Sequence, residues 1–165
     1  MLSRVSHWLN RLSEVVCCGV LLAMTVTVVL QVVCRYILGA ALTWSEEFAR
    51  YGLVWITFLG AGIALKRRAH MGVLAIVEMF SPGVRKGVQV FTIFAVMVFL
   101  VIATLKGTEL AVFNMKQLSP AMGLPMGYVY LAIPMGCLVM IIHAADHLLD
   151  LLRPLPVSVI GEAGD

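Results

Sequence analysis

The residues that could do chemistry include an acidic pair and an arginine at the start of an apolar segment. The stretch LTWSEEFARYGLVW, residues 42–55, places Glu46 four residues and Glu47 three residues before Arg50. Both spacings put an acid and the arginine on one face of a helix, and Glu before Arg at i, i+4 is the favoured order. A charge inside a membrane helix is costly unless it is paired or reaches water.

Two interpretations of this stretch remain open. In the first, it is a capped helix start, with Thr43 or Ser45 as the cap and the acids opposing the helix dipole. In the second, the charges form a polar network near the membrane surface, buried between helices or against a partner. The network, called the polar clamp below, consists of Arg35, Trp44, Glu46, Glu47 and Arg50. Trp44 would set its depth at the interface, and Arg35 would approach across a short loop.

A second chemical pattern lies near the end of the last apolar segment. His143 and His147 stand four residues apart beside Asp146 and Asp150. Histidines at this spacing could ligate one metal ion, and membrane-buried histidines could hold haem. The chain turns polar here, so we favour a solvated helix end. No nucleotide-binding or hydrolase motif is present in the sequence, which predicts neither an enzyme nor a bound cofactor.

The composition identifies the class of protein that must position these residues. The chain has 165 residues, of which 61% are hydrophobic and 13% are charged. Soluble domains are about 45–50% apolar and about 25% charged. The chain is therefore predicted to be an all-α integral membrane protein in a lipid bilayer. The net charge of +3 is spread over loops and ends, so it does not indicate a nucleic-acid partner.

Four segments are long enough to cross a bilayer, which takes about 20 apolar residues. They predict transmembrane helices at about residues 13–36, 44–65, 84–106 and 126–150. We interpret residues 1–153 as one four-helix membrane domain and residues 154–165 as a disordered tail. The third helix could run on toward Gln117, in which case it must tilt, break near Gly107 or project from the membrane. Pro134 should kink the fourth helix.

The distribution of Lys and Arg predicts the orientation. Most of them lie on the side that both termini share, so the positive-inside rule places both termini in the cytoplasm. The residues expected at the cytoplasmic interface are Lys66, Arg67, Arg68 and His70. The segment MGVLAIVEMF, residues 71–80, is apolar but too short to cross. It predicts a short interfacial helix between helices 2 and 3.

The second predicted helix carries residues suited to close packing. Gly60 and Gly62 let helices approach each other, and Trp55 lies on the same helix. Packing within the four-helix domain and docking of another subunit explain these glycines equally well.

Several motifs in order carry a resemblance to a known family. The run from Gln31 to Val73 contains QVVCRY and LTWSEEFARYGLVWITFLGAGIALKRRAH, and YVYLAIPMG follows at 128–136. These motifs resemble the small membrane subunit of TRAP (tripartite ATP-independent periplasmic) transporters, the DctQ-like family. The matching elements are Gln31, Arg35-Tyr36, Trp44-Ser45-Glu46-Glu47, Arg50-Tyr51, Trp55, Phe58-Leu59-Gly60-Ala61 and His70.

Two positions depart from the family pattern. Gly39 stands where Asn is common, and Val73-Leu74 stand where an acid often follows the histidine, so the loop after His70 has no assigned role.

The resemblance implies a function that residue spacing alone does not supply. Such transporters import organic acids into bacteria or archaea across the inner membrane, driven by sodium. A periplasmic substrate-binding protein captures the substrate, and a large membrane subunit carries the substrate and sodium sites. This chain would then be the small permease subunit, a scaffold without catalytic, cofactor or metal residues. The alternatives are a haem-binding membrane electron-transfer subunit and a stand-alone small transporter.

Overall fold

The computed structural model describes residues 2–40, 42–67 and 82–152, and these ranges are almost entirely helical. The helices are α1 (Leu2–Ile37), α2 (Thr43–Lys66), α3 (Pro82–Phe113), α4 (Gly127–Tyr130) and α5 (Ala132–Leu152), with a 3₁₀ turn at Asn114–Lys116. Four stretches are long and apolar enough to cross a membrane, namely Ser3–Ile37, Thr43–Lys66, Gly83–Lys116 and Gly127–Leu151. The predicted all-α fold with four such helices is confirmed. The predicted interfacial helix and the tail lie outside the described residues.

Two helices extend beyond the ranges expected from their apolar runs. Helix α1 has 36 residues and is about 54 Å long. Its first turns pack on the rest of the protein, since Ser6 and Ser13 are buried. Helix α3 has 32 residues and continues through Gly107. A Cβ atom on Gly107 would lie 2.7 Å from Cγ2 of Ile133, so this glycine marks a close packing contact.

The last span is interrupted once, between α4 and α5. Leu131 separates the two helices, one turn before Pro134. A proline has no backbone N–H, so Pro134 cannot bond the carbonyl of Tyr130, four residues earlier. The chain nevertheless continues in one direction, because Leu131 N–H bonds Gly127 O at 2.9 Å and Met135 N–H bonds Leu131 O at 3.2 Å.

Helix α5 lies at the centre of the arrangement. It packs against α3 on one side and α2 on the other, while α1 packs mainly on α2. Helix α5 is the most buried of the four spans and α1 is the least buried. Large apolar side chains on α1 and α3 therefore face outward, as they do in helices that contact lipid or another membrane subunit.

Helices α2 and α5 approach each other closely at Gly136. A Cβ atom there would lie 2.6 Å from Cβ of Phe58 and 3.0 Å from the Phe58 carbonyl carbon. Gly62 also faces α5, since its Cβ would lie 3.3 Å from Cγ1 of Val139. Gly60 has no such neighbour within 4 Å among the described residues. One of the two predicted packing glycines therefore packs inside the chain and the other does not, while Trp55 is half-buried.

We expect Gly136→Ala to destabilise the helix packing, because the obstructing Phe58 atoms include backbone atoms that cannot rotate away. Overpacking of this kind costs about 1–3 kcal/mol. Thermal unfolding of the purified chain in mild detergent measures the loss. Gly19→Ala, also within a helix but with nothing within 4 Å, is the matched control. Equal melting temperatures for the two variants would contradict the close contact.

Candidate functional site

The structure places Glu47 of the predicted polar clamp against a loop. Glu47 lies in the first turns of α2 and is 9% exposed. Its Oε1 accepts a hydrogen bond from the backbone N–H of Ala121 at 3.0 Å, and its Oε2 accepts one from Met122 N–H at 3.0 Å. We call this bidentate contact the Glu47 latch. It joins the start of α2 to the loop that precedes α4.

The loop that supplies these two donors is held by its own hydrogen bonds. Met126 N–H donates to Gln117 O at 2.8 Å, and Ser119 N–H donates to Leu124 O at 2.9 Å. The buried Ser119 hydroxyl oxygen also accepts from Leu124 N–H at 3.2 Å. Gly123 has φ +64, a left-handed conformation that glycine adopts without strain. The turn therefore presents the Ala121 and Met122 donors in a fixed arrangement.

A second contact ties the same loop to α2. Tyr51, one turn after Glu47, donates its hydroxyl to Sδ of Met126 at 3.4 Å. The loop is therefore anchored from two successive turns of α2.

The remaining polar-clamp residues are exposed at this end of the helices. Arg35, Glu46 and Arg50 are exposed, and the described residues contain no ion pair between them. Backbone donors of the loop bind the Glu47 carboxylate, and pairing of the other clamp charges against a partner stays a prediction. Trp44, 38% exposed, packs edge-on against Phe48 with ring centroids 6.3 Å apart.

The helix-cap interpretation of this stretch is also corrected. Leu42 is the N-cap residue of α2, and it makes no side-chain capping bond. Ser45 is buried, and its hydroxyl donates to Leu42 O at 2.6 Å. Glu46 does lie in the first turn, where a negative charge is favourable.

A second polar cluster lies at the opposite end of α2. Lys66 Nζ is 2.7 Å from Oδ2 of Asp146 on α5, with side chains 18% and 7% exposed. Arg67 Nη2 is 2.7 Å from Oε1 of Glu14 on α1. Asn10 donates to the same Glu14 oxygen at 2.8 Å. Two of the residues predicted at the cytoplasmic interface thus connect the end of α2 to both neighbouring helices, and Arg68 and His70 lie outside the described residues.

His143 is buried, which corrects the expectation of a solvated helix end. It is 2% exposed, and its Nδ1 lies 2.8 Å from the hydroxyl oxygen of Ser6. The cause is the long α1, whose first turns cover this part of α5. A small cavity of about 30 Å³ adjoins it, lined by Leu65, Lys66, His143, Asp146, His147 and Asp150. Over the described ranges, no three His, Cys, Asp or Glu side chains converge as metal ligands would.

Sequence reasoning missed most of these partners. Lys66 and Asp146 are 80 residues apart, so no local spacing links them. Backbone donors such as Ala121 N–H cannot be recognised in a sequence, because every residue except proline has one. The pattern SPAMGLPMG at 119–127 predicts a turn, but it does not indicate what the turn binds.

The fold indicates the general class of this protein. Four apolar helices are long enough to cross a membrane, and polar contacts at the two ends of α2 connect the helices to one another. This arrangement is typical of a multi-pass membrane protein. Comparison with known families then gives a match over residues 24–154 to the tripartite ATP-independent periplasmic transporters, DctQ component. The chain belongs to this family.

Individual relatives agree with the family match. A protein assigned as the small permease of a TRAP transporter in Haemophilus influenzae is 29% identical over 133 residues, covering 80% of this chain and 82% of the relative. The ectoine TRAP transporter small permease protein TeaB of Halomonas elongata is 27% identical, covering 84% and 73%. The sialic acid TRAP transporter small permease protein SiaQ of Vibrio cholerae is 21% identical, covering 89% and 85%.

These findings decide between the alternatives raised by the sequence. The chain is a small permease subunit of the TRAP type, a multi-pass protein of the bacterial inner membrane and not an enzyme. The predicted family and location are confirmed. The system is tripartite, as its family description states, so a large permease and a periplasmic binding protein accompany the small subunit.

Proposed function

We propose that this chain is the scaffold of a sodium-driven, binding-protein-dependent importer of organic acids, and that the large membrane subunit holds the substrate and sodium sites. The engagement of the polar groups carries the proposal. Lys66 pairs with Asp146, Arg67 pairs with Glu14, and Glu47 binds the backbone of the loop before α4. Among the described residues, both polar clusters connect elements of this chain to one another. Such contacts stabilise a scaffold and do not form a substrate site.

Exposed residues near the Glu47 latch supply a candidate contact with the large subunit. Arg35, Glu46 and Arg50 are exposed beside Trp44, where charged groups of a partner could pair with them. The outward apolar side of α1 between Val26 and Val33, next to Arg35, extends this surface along the membrane. Gly60, open on its outer side, would allow close approach of a partner helix.

The relatives support a substrate assignment at the level of chemical class. Relatives are described as transporter subunits for ectoine, sialic acid and C4-dicarboxylate. Since different substrates accompany similar small subunits, we assign specificity to the binding protein and the large subunit.

The proposed orientation places both ends of the chain in the cytoplasm and the Glu47 latch on the periplasmic side. The start of α1 and the end of α2 lie together, since Glu14 contacts Arg67, and this end carries Arg4, Arg11, Lys66 and Arg67. Arg68, His70 and an interfacial helix over residues 71–80 would continue this basic surface. Reporter fusions at the C-terminus test it: green fluorescent protein should fluoresce and alkaline phosphatase should be inactive, and the reverse result would overturn the orientation.

Isolation of the complex tests the scaffold role. The tagged chain is extracted from its native membrane in mild detergent, and the eluate is analysed by mass spectrometry and absorbance. We expect a stoichiometric large polytopic partner. Recovery of the chain alone, together with transport by the chain alone in liposomes, would contradict the proposal.

We expect Arg50→Gln to lower the yield of the complex and the rate of uptake. Arg50 is exposed and has no ion-pair partner among the described residues, so in the proposed interface it would pair with an acid of the large subunit. An interface charge that loses its partner in a desolvated contact costs about 2–5 kcal/mol. Co-purification of the large subunit and uptake in vesicles measure the effect. Lys106→Gln is the control, because Lys106 is exposed and pairs with Glu109 within α3. Wild-type yield and uptake for Arg50→Gln would exclude Arg50 from the interface.

A further inference from the structure

The first turns of α1 bury two serines and expose several large apolar side chains. Ser6 and Ser13 are 0% and 5% exposed. On the outer side, Val5 is 48%, Trp8 is 65% and Leu12 is 45% exposed. Ser3, Arg4, His7 and Arg11 are exposed as well. The outer face of this segment therefore combines apolar and basic side chains, as helices at a membrane interface do.

Two arginines lie on the same outer face, on either side of Trp8. Arg4, Trp8 and Arg11 are spaced i, i+4 and i+7, which places them along one side of a helix. Both arginines are exposed, and the described part of the chain gives neither an ion pair within 4 Å. The nearby carboxylate of Glu14 is already bonded to Arg67 and Asn10.

The position of these residues along α1 matches the depth of lipid headgroups. The uncharged run Val15–Cys34 spans about 30 Å, the thickness of the hydrocarbon core. Arg11 lies about 6 Å and Trp8 about 10 Å beyond the end of this run. Arg4 lies about 10 Å further out than Arg11, so the long side chains of both arginines can reach a phosphate beside Trp8.

We propose that Arg4, Trp8 and Arg11, the basic stripe, bind the phosphate of an anionic phospholipid whose acyl chain lies along Val15 and Leu22. Guanidinium groups bind phosphate oxygens through paired, charge-assisted hydrogen bonds. Tryptophan is favoured at this depth because its ring is amphipathic. Val15 and Leu22 continue the same face into the hydrocarbon and are 65% and 67% exposed. The family match begins at residue 24, so the stripe belongs to a part of this chain that the family pattern does not cover.

Tryptophan fluorescence provides a local test of the stripe. The chain has three tryptophans, so Trp44→Phe with Trp55→Phe leaves Trp8 as a single reporter. The full chain is reconstituted in bilayers that contain brominated phosphatidylglycerol or brominated phosphatidylcholine, both of which quench adjacent tryptophan. We expect the anionic lipid to quench Trp8 more strongly at equal mole fraction. Arg4→Gln with Arg11→Gln should weaken its relative binding about thirtyfold, the effect of two basic residues near an anionic surface.

Two controls separate specific binding from general attraction to charge. Lys106→Gln with Lys116→Gln removes the same charge from exposed positions on α3 and the adjoining turn, and it should leave the quenching of Trp8 unchanged. A protein that keeps only Trp44 should show no loss on replacing Arg4 and Arg11. Equal quenching of Trp8 by both lipids, or an undiminished preference in the arginine variant, would overturn the proposal. The same measurement on the purified complex is a further test. If both lipids quench Trp8 only weakly there, the lipid-binding proposal is wrong and the basic stripe lies at a protein interface.

Discussion

Replacing Glu47 by alanine is expected to lower the thermal stability of the chain strongly and to reduce recovery of the transporter complex. The substitution removes two hydrogen bonds of 3.0 Å to a charged acceptor and leaves the N–H groups of Ala121 and Met122 without a partner. Hydrogen bonds to charged acceptors are stronger than those between neutral groups, so the melting temperature should fall by several degrees.

Glu46→Ala is the matched control for the thermal measurement. It removes the same charge one residue away, from a side chain that is exposed. Glu47→Gln should lie between the two, because the amide keeps one acceptor oxygen for the loop. Limited proteolysis within residues 118–126 should become faster in Glu47→Ala and not in Glu46→Ala. If both alanine variants melt at the same temperature, the Glu47 latch does not hold the loop.

The second large effect is expected at the Lys66–Asp146 ion pair. Lys66→Ala leaves the Asp146 carboxylate, 7% exposed, without its cation. Breaking a buried pair by removing one partner costs about 3–5 kcal/mol, whereas replacing both partners by apolar residues of similar volume is often neutral. We therefore expect Lys66→Ala to unfold at a markedly lower temperature, and Lys66→Met with Asp146→Leu to recover most of the loss.

An exposed pair in the same chain provides the comparison. Lys106 and Glu109 are separated by the same 2.7 Å, but their side chains are 75% and 69% exposed. Exposed pairs contribute about 0–1 kcal/mol, so Lys106→Ala should have little effect. The two alanine variants thus differ mainly in the burial of the broken pair. A similar melting temperature for both would indicate that Asp146 is solvated once Lys66 is removed.

The polar clamp illustrates how far local spacing predicts a site. The sequence indicated that Glu47 needs a partner, because an unpaired acid in an apolar helix is costly. It could not identify the partner, since Arg35 and Arg50 were the only charged candidates nearby in sequence. The structure supplied backbone donors from a loop 74 residues further along.

The sequence by itself determined the class of fold, the four helices and the family. Those properties follow from apolar runs of sufficient length and from motifs that are continuous in the chain. Only the tertiary structure decided that His143 is buried beneath the first turns of α1 and that Lys66 meets Asp146. It also decided that Gly62 packs against α5 while Gly60 stays open. The physical reason is common to all three cases. The spacing of apolar residues in the sequence shows which side of a helix is apolar. Which other helix packs on that side depends on contacts between segments distant in sequence.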